Sequence, residues 1–179
     1  KGLSFGGSLM RPEATGYGTV YFAQEVLKHA GRSLDGMRVS VSGSGNVAQF
    51  AVEKAMSQGA KVVTVSDSSG TIVDEAGFTP EKLAILAEVK NHLYARLGEY
   101  ARRTNVTFLP GAKPWHVPVQ VALPCATQNE LTGEDARALV NNGVICVAEG
   151  ANMPSTAEAV ECFLHNKVLY APGKASNAG

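Results

Sequence analysis

The chain has 179 residues, of which 45% are hydrophobic, and its 16 basic residues balance 16 acidic ones. This length and composition are typical of one globular domain with a substantial core, and they give no excess of positive charge for binding nucleic acid or an anionic membrane. No run approaches the roughly 18 apolar residues that a bilayer span requires, and the opening KGLSFGGSLM lacks the order of a signal peptide.

Short β-branched runs alternate with longer stretches of helical character, the pattern of parallel strands joined by helical crossovers. Three helices are predicted, each bounded by a proline near its start or a glycine at its end: 11–31, 46–59 and 79–98. Thr79 is the expected N-cap of the third helix, with Pro80 at its first position. Six strands are predicted, at 38–42, 61–66, 106–109, 119–123, 144–148 and 168–171.

These elements predict an α/β fold with a doubly wound, mostly parallel sheet, similar to the dinucleotide-binding Rossmann fold, over residues 1–179. Ligands of such sheets bind at the carboxyl ends of the strands, near the point where the strand order reverses. The segments that follow five of the strands are rich in small and hydrogen-bonding residues: GSGN, DSSG, PCATQNE, EGANMP and PGKASN. Turn chemistry alone does not readily account for so many polar strand ends.

Gly43, Gly45 and Ala48 fit the pattern G-x-G-x-x-G/A between the first strand and its helix. In a dinucleotide site the first glycine permits the tight turn, the second lets the backbone approach the pyrophosphate, and the helix N-terminus attracts the anion. A bare strand–helix turn is the alternative, but the complete strand–helix–strand unit favours dinucleotide binding. Asn46 is expected to cap the helix, to bind the cofactor, or to do both.

The residues at the end of the second strand leave the choice between NAD and NADP open. A carboxylate there, Asp67, usually binds the ribose 2′-OH and favours NAD. Ser68 and Ser69, which follow it, can donate to a phosphate. Lys90 lies in line with an apolar stripe of Leu83, Leu86, Leu93 and Leu97. Lys90 either snorkels from this stripe or points inward to a 2′-phosphate, and the second interpretation favours NADP.

Other chemistries find little support in the sequence. PGKAS departs from a phosphate-binding loop, because Val168 stands in place of the first glycine and Ala175 in place of the hydroxyl residue. The four histidines lack metal-ligand spacing, no G-x-S-x-G motif is present, and no catalytic acid–base pair can be identified. The three cysteines (Cys125, Cys146 and Cys162) form no CxxC pair, which favours buried, reduced thiols in a cytoplasmic protein.

With these residues laid out, the chain resembles the cofactor-binding domain of hexameric, NADP-specific glutamate dehydrogenases of the bacterial type, in the glutamate/leucine/phenylalanine/valine dehydrogenase family. The matching phrases occur in family order along essentially the whole chain: KGLSFGGSLMRPEATGYG, MRVSVSGSGNVAQFAVEKA, SDSSGTIVDEAGFT, PCATQNEL, AEGANMP and APGKASNAG. RPEATGYG and EGANMP are far more specific to the family than the glycine motif.

The resemblance implies cofactor contacts along the whole dinucleotide. Thr15 would bind the nicotinamide carboxamide, Arg11 would line the same cleft, and Asn152 would reach the nicotinamide side. The other contacts would be to the pyrophosphate and its ribose (Gly43, Ser44, Gly45, Asn46 and Val47), to the adenosine ribose (Asp67 and Ser68) and at the next strand end (Ala126 and Thr127). Family members with SDSS commonly use NADP, which favours NADP here, with Lys90 near its 2′-phosphate.

One departure from the family concerns the 2′-phosphate. Bacterial NADP-specific members often carry an arginine shortly after the lysine that corresponds to Lys90, whereas this chain has Leu93 at that place. Arg96 or His92 is the expected substitute.

The resemblance also implies that this chain is one domain of a two-domain enzyme. In the family, the catalytic lysine and aspartate lie in a domain that precedes Lys1, and further helices follow the last residue. The parent would interconvert L-glutamate and 2-oxoglutarate plus ammonia by hydride transfer, as a homohexamer, with no catalytic residue in this chain. The alternatives are the same domain of a leucine, phenylalanine or valine dehydrogenase, and a non-catalytic dinucleotide-binding module.

Overall fold

The computed structural model describes residues 11–173, which form a seven-stranded sheet with helices on both faces. The strands are β1 (Arg38–Val41), β2 (Lys61–Asp67), β3 (Gly70–Val73), β4 (Thr107–Pro110), β5 (Val121–Leu123), β6 (Cys146–Ala148) and β7 (Leu169–Ala171). The helices are α1 (Pro12–His29), α2 (Asn46–Ser57), α3 (Pro80–Ala87), α4 (Leu97–Thr104), α5 (Gly133–Asn141) and α6 (Ala157–His165). None of these helices combines the length and the apolar character needed to cross a bilayer.

The strands are arranged in the order β4-β3-β2-β1-β5-β6-β7. The neighbours from β2 through β1, β5 and β6 to β7 are all parallel, whereas β3 runs antiparallel to both β2 and β4. The chain leaves β1 toward one edge of the sheet and returns to the other side of β1 as β5. The doubly wound, mostly parallel sheet is therefore confirmed, and its order reverses between β1 and β5.

Alternate residues of the strands pack into two buried clusters. Val39 and Val41 of β1 contribute to one cluster, which also contains the buried faces of α1, α2 and α3. Val63 of β2 and Val147 of β6 contribute to the other, with α5, α6 and the fully buried Trp115, which lies in a 3₁₀ turn at Pro114–His116. Strands with apolar residues on both faces are typical of parallel sheets, whose crossover helices cover each face.

The first two predicted helices are confirmed, and glycine explains how closely they pack. α1 begins at Pro12, and Gly31 lies beyond its end with φ of 75°. At Gly16, an added Cβ would lie 2.7 Å from both the Cβ of Phe50 and the carbonyl oxygen of Val47 in α2. Any side chain at this position would therefore push α1 away from α2, which accounts for one glycine of the RPEATGYG phrase.

The prediction of one continuous helix over 79–98 is wrong. Thr79 does cap α3, since its hydroxyl accepts a hydrogen bond from the Lys82 N–H. The helix then passes into a π-helical turn at Glu88–His92 and is interrupted before α4. Tyr94, with φ of 53°, turns the chain out of the helix, and Leu93 is 48% exposed, so the predicted apolar stripe is broken there.

The structure contains a strand that the sequence analysis missed. β2 turns back at Ser68 and Ser69 into β3, where no strand was predicted. Asp67 closes this turn, because its Oδ1 accepts a hydrogen bond of 2.8 Å from the Ser69 N–H. β3 has only four residues and begins with glycine, so the run is short for a strand, although Thr71, Ile72 and Val73 are β-branched.

Candidate functional site

A cleft of about 710 Å³ opens at the carboxyl edge of the sheet, where β1 and β5 end side by side. Its walls are the turn after β1, the β2–β3 turn, residues 111–114 and the loop after β5. Nine of the thirteen predicted site residues line it: Gly43, Ser44, Gly45, Asn46, Val47, Asp67, Ser68, Ala126 and Thr127. The reversal of strand order thus brings three of the polar strand ends together in one cleft.

The two glycines of the turn after β1 have different surroundings. Gly43 has φ of 88°, and an added Cβ would lie 3.0 Å from the carbonyl oxygen of Cys125, so the fold itself requires glycine there. Gly45 has φ of −81°, and among residues 11–173 an added Cβ would meet nothing within 4 Å. Neither backbone strain nor packing within these residues requires glycine at position 45. The open space leaves room for a ligand to approach the backbone closely.

The N-terminus of α2 faces the cleft without a compensating group. Gly45 is the N-cap and provides no side-chain acceptor, and the first turn contains no acidic residue. Its first N–H groups and the positive end of the helix dipole are therefore available to an anion. The expectation that Asn46 caps α2 is wrong, because Asn46 is already the first helical residue.

Hydroxyl groups add to the backbone hydrogen bonds that hold the end of β1. The Thr64 side chain accepts from the Val41 N–H and donates to its carbonyl oxygen, each at 3.0 Å. The Ser66 hydroxyl accepts from the Gly43 N–H at 2.9 Å. Ser42 connects β1 to β5, because its hydroxyl accepts from the Cys125 N–H at 2.9 Å. These contacts fix the turn by the fold alone, before any ligand binds.

Asp67 lies at the end of β2, where its carboxylate accepts hydrogen bonds from the β2–β3 turn and from two more distant residues. Besides the bonds from Ser69, its Oδ2 accepts from Lys90 Nζ at 2.9 Å and from the Leu97 N–H at 3.0 Å. Burial alone would raise the pKa of Asp67, but the hydrogen bonds from Ser69 and Lys90 hold it below its ordinary value. Asp67 is therefore a negatively charged residue that holds the β2–β3 turn in place. Lys90 neutralises this negative charge, which would otherwise repel a phosphate.

The interruption between α3 and α4 brings a second cation to the β2–β3 turn. Nη1 of Arg96 donates a hydrogen bond to the hydroxyl of Ser68, which lines the cleft. Arg96 is one of the two substitutes expected for the missing family arginine, and the other, His92, is exposed on the π-helical turn. Lys90 does not line the cleft itself, but its ion pair with Asp67 places its ammonium at the cleft wall.

Glu130 is a cleft residue that the sequence analysis did not single out. Its Oε2 accepts hydrogen bonds from the Ser42 hydroxyl and from the N–H groups of Ala126 and Thr127, at 2.9, 3.0 and 3.2 Å. Burial raises the pKa of Glu130, although these hydrogen bonds act in the opposite direction. Glu130 thus shapes the loop after β5 and brings a titratable carboxyl to the cleft; its place in PCATQNE was the available signal.

The remaining predicted residues lie outside the cleft. Arg11 is exposed before α1, and the buried Thr15 donates its N–H to the Arg11 carbonyl oxygen at 3.1 Å. Asn152 is exposed in the loop after β6. α1 does pass next to this loop, since an added Cβ on Gly150 would lie 3.0 Å from the Thr19 hydroxyl. The segment after β7 lies mostly outside the described residues, as does KGLSFGGSLM.

Another buried carboxylate joins the ends of β6 and β7. Glu149, which opens the EGAN phrase, accepts hydrogen bonds of 2.8 Å from the Tyr170 hydroxyl and from the Gly173 N–H. Burial and this hydrogen bond raise the pKa of Tyr170. The EGAN phrase therefore begins with a residue that positions two neighbouring strand ends.

The fold and the cleft can now be compared with known proteins. The chain is 65% identical over 179 residues to the NADP-specific glutamate dehydrogenase of Salmonella typhimurium and 63% identical to that of Escherichia coli. Each alignment covers 100% of this chain and 40% of the relative, so the chain spans less than half the length of these relatives. At 54% identity it also resembles an NAD(P)-specific glutamate dehydrogenase of Xylanibacter ruminicola.

Solved structures match in the same way. The chain superposes on the glutamate dehydrogenase of Plasmodium falciparum with a TM-score of 0.91 and 45% identity, over 96% of this chain and 37% of that one. A hetero-hexameric glutamate dehydrogenase from Thermus thermophilus matches with a TM-score of 0.75 and 27% identity, over 96% of this chain and 38% of that one. Residues 6–179 match the Glutamate/Leucine/Phenylalanine/Valine dehydrogenase family. The chain therefore belongs to that family.

Proposed function

We propose that this chain is the coenzyme-binding domain of an oxidoreductase that interconverts L-glutamate and 2-oxoglutarate plus ammonia with NADP(H). The relatives at 63–65% identity are named NADP-specific glutamate dehydrogenases, which favours glutamate over leucine, phenylalanine or valine as the substrate. The parent protein is proposed to be a cytoplasmic homohexamer, consistent with the hexameric relative from Thermus thermophilus. Sedimentation or light scattering of the protein tests this assembly.

The single observation that carries the proposal is the open space over Gly45. The diphosphate of a dinucleotide needs a backbone that it can approach closely, N–H donors and no competing carboxylate. The turn after β1 offers all three, because no atom of the described residues lies within 4 Å of a Cβ added to Gly45 and α2 begins there without an acidic residue. The residues present therefore fit a nicotinamide dinucleotide.

The described residues bind and orient the coenzyme, which supplies hydride transfer when it is bound. The turn after β1 and the N-terminus of α2 hold the diphosphate, and the loop after β5 forms the opposite wall of the cleft. We assign no catalytic acid or base to this chain. Those groups, and the residues that bind the amino acid, are proposed to lie outside it, as the resemblance implies.

NADP is preferred over NAD in this proposal because of the charges around the β2–β3 turn. Ser68 and Arg96 present a hydroxyl and a guanidinium to the cleft wall. Lys90 has three donor hydrogens, of which its bond to Asp67 uses one, so its ammonium can also donate to a 2′-phosphate. Thr15 and Asn152 are proposed to meet the nicotinamide end, with Arg11 near it.

Gly45→Ala tests the proposal, with Gly98→Ala as the matched control. Both glycines have open space where a Cβ would lie and neither has positive φ, so neither substitution strains the fold. We expect Gly45→Ala to cost less than about 1 kcal/mol in unfolding free energy but to weaken NADPH binding at least about tenfold. Gly98→Ala is expected to leave binding unchanged.

Fluorescence titration with NADPH and NADH, together with thermal unfolding, measures both effects. If Gly45→Ala binds NADPH as tightly as the wild-type protein, the diphosphate does not occupy this turn and the proposal is wrong. The substrate is tested separately, by the turnover of L-glutamate, L-leucine and L-phenylalanine with NADP by the full-length protein.

A further inference from the structure

The side-chain amide of the buried Gln49 holds the turn after β1 from the side of α2. Gln49 on α2 is only 8% exposed, and its Nε2 donates a hydrogen bond of 2.8 Å to the carbonyl oxygen of Ser44. The Ser44 carbonyl belongs to the peptide group whose N–H is that of Gly45. Because a trans peptide is planar, its carbonyl and N–H point in opposite directions. A carbonyl held toward Gln49 therefore directs the Gly45 N–H away from α2.

The same amide is paired with a second one on the π-helical turn. Gln49 Nε2 donates to Asn91 Oδ1 at 3.1 Å, and Asn91 Nδ2 donates to Gln49 Oε1 at 3.2 Å. The residue before Asn91 is Lys90, whose ammonium bonds Asp67. A π-helical turn replaces i→i+4 bonds by i→i+5 bonds, seen here from the Leu93 N–H to the Glu88 carbonyl oxygen. The turn thus directs Lys90 to Asp67 at the end of β2 and Asn91 to Gln49 on α2.

We propose that Gln49 and Asn91 form a positioning pair. The pair fixes the distance and orientation between the turn that binds the diphosphate and Lys90, the cation that binds the 2′-phosphate. The pair rests on the proposed function, because it acts on the coenzyme only through Ser44 and Lys90. Gln49 orients the turn, and Asn91 holds the Lys90 segment against it. A coenzyme with a 2′-phosphate contacts both the turn and Lys90, whereas NADH has no 2′-phosphate for Lys90 to bind.

Three variants of the protein test the pair. Gln49→Met keeps the size of the side chain but removes its donors, and we expect NADPH and NADH to bind about tenfold more weakly. Asn91→Ala is expected to weaken NADPH about threefold with little change for NADH, because the turn keeps its bond to Gln49. The double variant should lose less affinity for NADPH than the product of the two single losses, since the residues act as one unit.

Gln24→Leu is the matched control. Gln24 also donates to another amide across two helices, at 2.7 Å to Gln58 Oε1, but this pair does not contact the turn. Loss of the hydrogen bond between Gln24 and Gln58 should lower thermal stability slightly and leave the affinities for both coenzymes unchanged. A purely structural role for Gln49 and Asn91 would give this same pattern and would overturn the proposal.

The ratio of NADPH to NADH affinity is the decisive measurement, taken by fluorescence titration of each variant. A reduced ratio in Asn91→Ala supports the pair, and an unchanged ratio overturns it. The wild-type protein could bind NADPH while Gln49→Met and Asn91→Ala bind both coenzymes with the same affinities as Gln24→Leu. That result overturns the positioning pair but leaves the proposed function intact. If the wild-type protein binds neither coenzyme, the proposed function fails with it.

Discussion

The two ends of the cleft are built on different physical principles. The end proposed for the diphosphate, residues 42–49, relies on the backbone: two glycines, a helix N-terminus and hydroxyls that bond the end of β1. The end proposed for the adenosine, formed by residues 67–69 and 88–97, relies on side-chain charge, because Lys90 pairs with Asp67 and Arg96 donates to Ser68 at the β2–β3 turn. Backbone geometry restricts which residue is possible at a position, whereas a charge can come from several places. Sequence motifs therefore describe the first end far better than the second.

The largest expected effect is on the unfolding free energy, and it distinguishes the glycine required for folding, Gly43, from the glycine proposed for binding, Gly45. Gly43→Ala places a side chain on a residue with φ of 88° and brings its Cβ to 3.0 Å from a carbonyl oxygen. We expect a loss of about 2 kcal/mol in unfolding free energy, seen as a fall in melting temperature of about 4 °C or more. Gly45→Ala should show no comparable fall. Equal destabilisation by both variants would mean that both glycines serve the fold.

A smaller effect is expected from Lys90→Met at the adenosine end. The variant keeps the aliphatic stem but removes the ammonium, so NADPH affinity should fall about tenfold while NADH affinity changes little. The remaining bonds to Asp67, from Ser69 and the Leu97 N–H, are retained. Titration of both coenzymes measures the change. An equal loss for NADH would show that Lys90 supports the structure of the cleft and not a 2′-phosphate.

Arg96→Gln should have a weaker effect on the same preference. Arg96 is exposed, so its charge is partly screened, and we expect NADPH affinity to fall about threefold in dilute buffer and less in high salt. Arg102→Gln is the control, because Arg102 pairs with Glu99 on α4, away from the β2–β3 turn. A salt-independent loss in Arg96→Gln would contradict an electrostatic role.

The smallest expected effect concerns the carboxyl group at the opposite wall of the cleft. Because the folded protein raises the pKa of Glu130, its protonation favours folding, and this stabilisation is lost as the pH rises through the raised pKa. Glu130→Gln can accept the same hydrogen bonds without titrating. We expect the difference in melting temperature, Glu130→Gln minus wild type, to increase by about 2 °C as the pH rises from acid to neutral. A constant difference at every pH would refute the assignment.

Much of the sheet was predictable because its causes are local. The strand–helix–strand unit from Arg38 to Asp67 follows from β-branched runs and helix-ending glycines, and the structure confirms it. The interruption between α3 and α4 was not predictable, since Leu93 fits a helical apolar stripe. At this interruption the Leu97 N–H bonds the Asp67 carboxylate, a tertiary contact that a local sequence pattern does not reveal.

In the candidate site, too, the features with local causes were predicted and those that depend on tertiary contacts were not. The glycine turn was predicted as a unit, and its residues line the cleft. Asn46 was expected at the N-cap because asparagine favours that position, but Gly45 occupies it. Glu130 and the Gln49–Asn91 contact were missed because a carboxylate or amide acquires its partner only when distant segments meet.

The reversed strand β3 has a consequence for how coenzyme choice can change. Since β2 returns directly into β3, the cations beside Asp67 and Ser68 come from a segment outside the β1–α2–β2 unit. We therefore expect that an exchange of residues 88–97 between family members, with the buried Val89 and Leu97 kept, changes the coenzyme preference while the turn after β1 is left as it is. A graft that preserves Asn91 would keep the new segment in register with its scaffold.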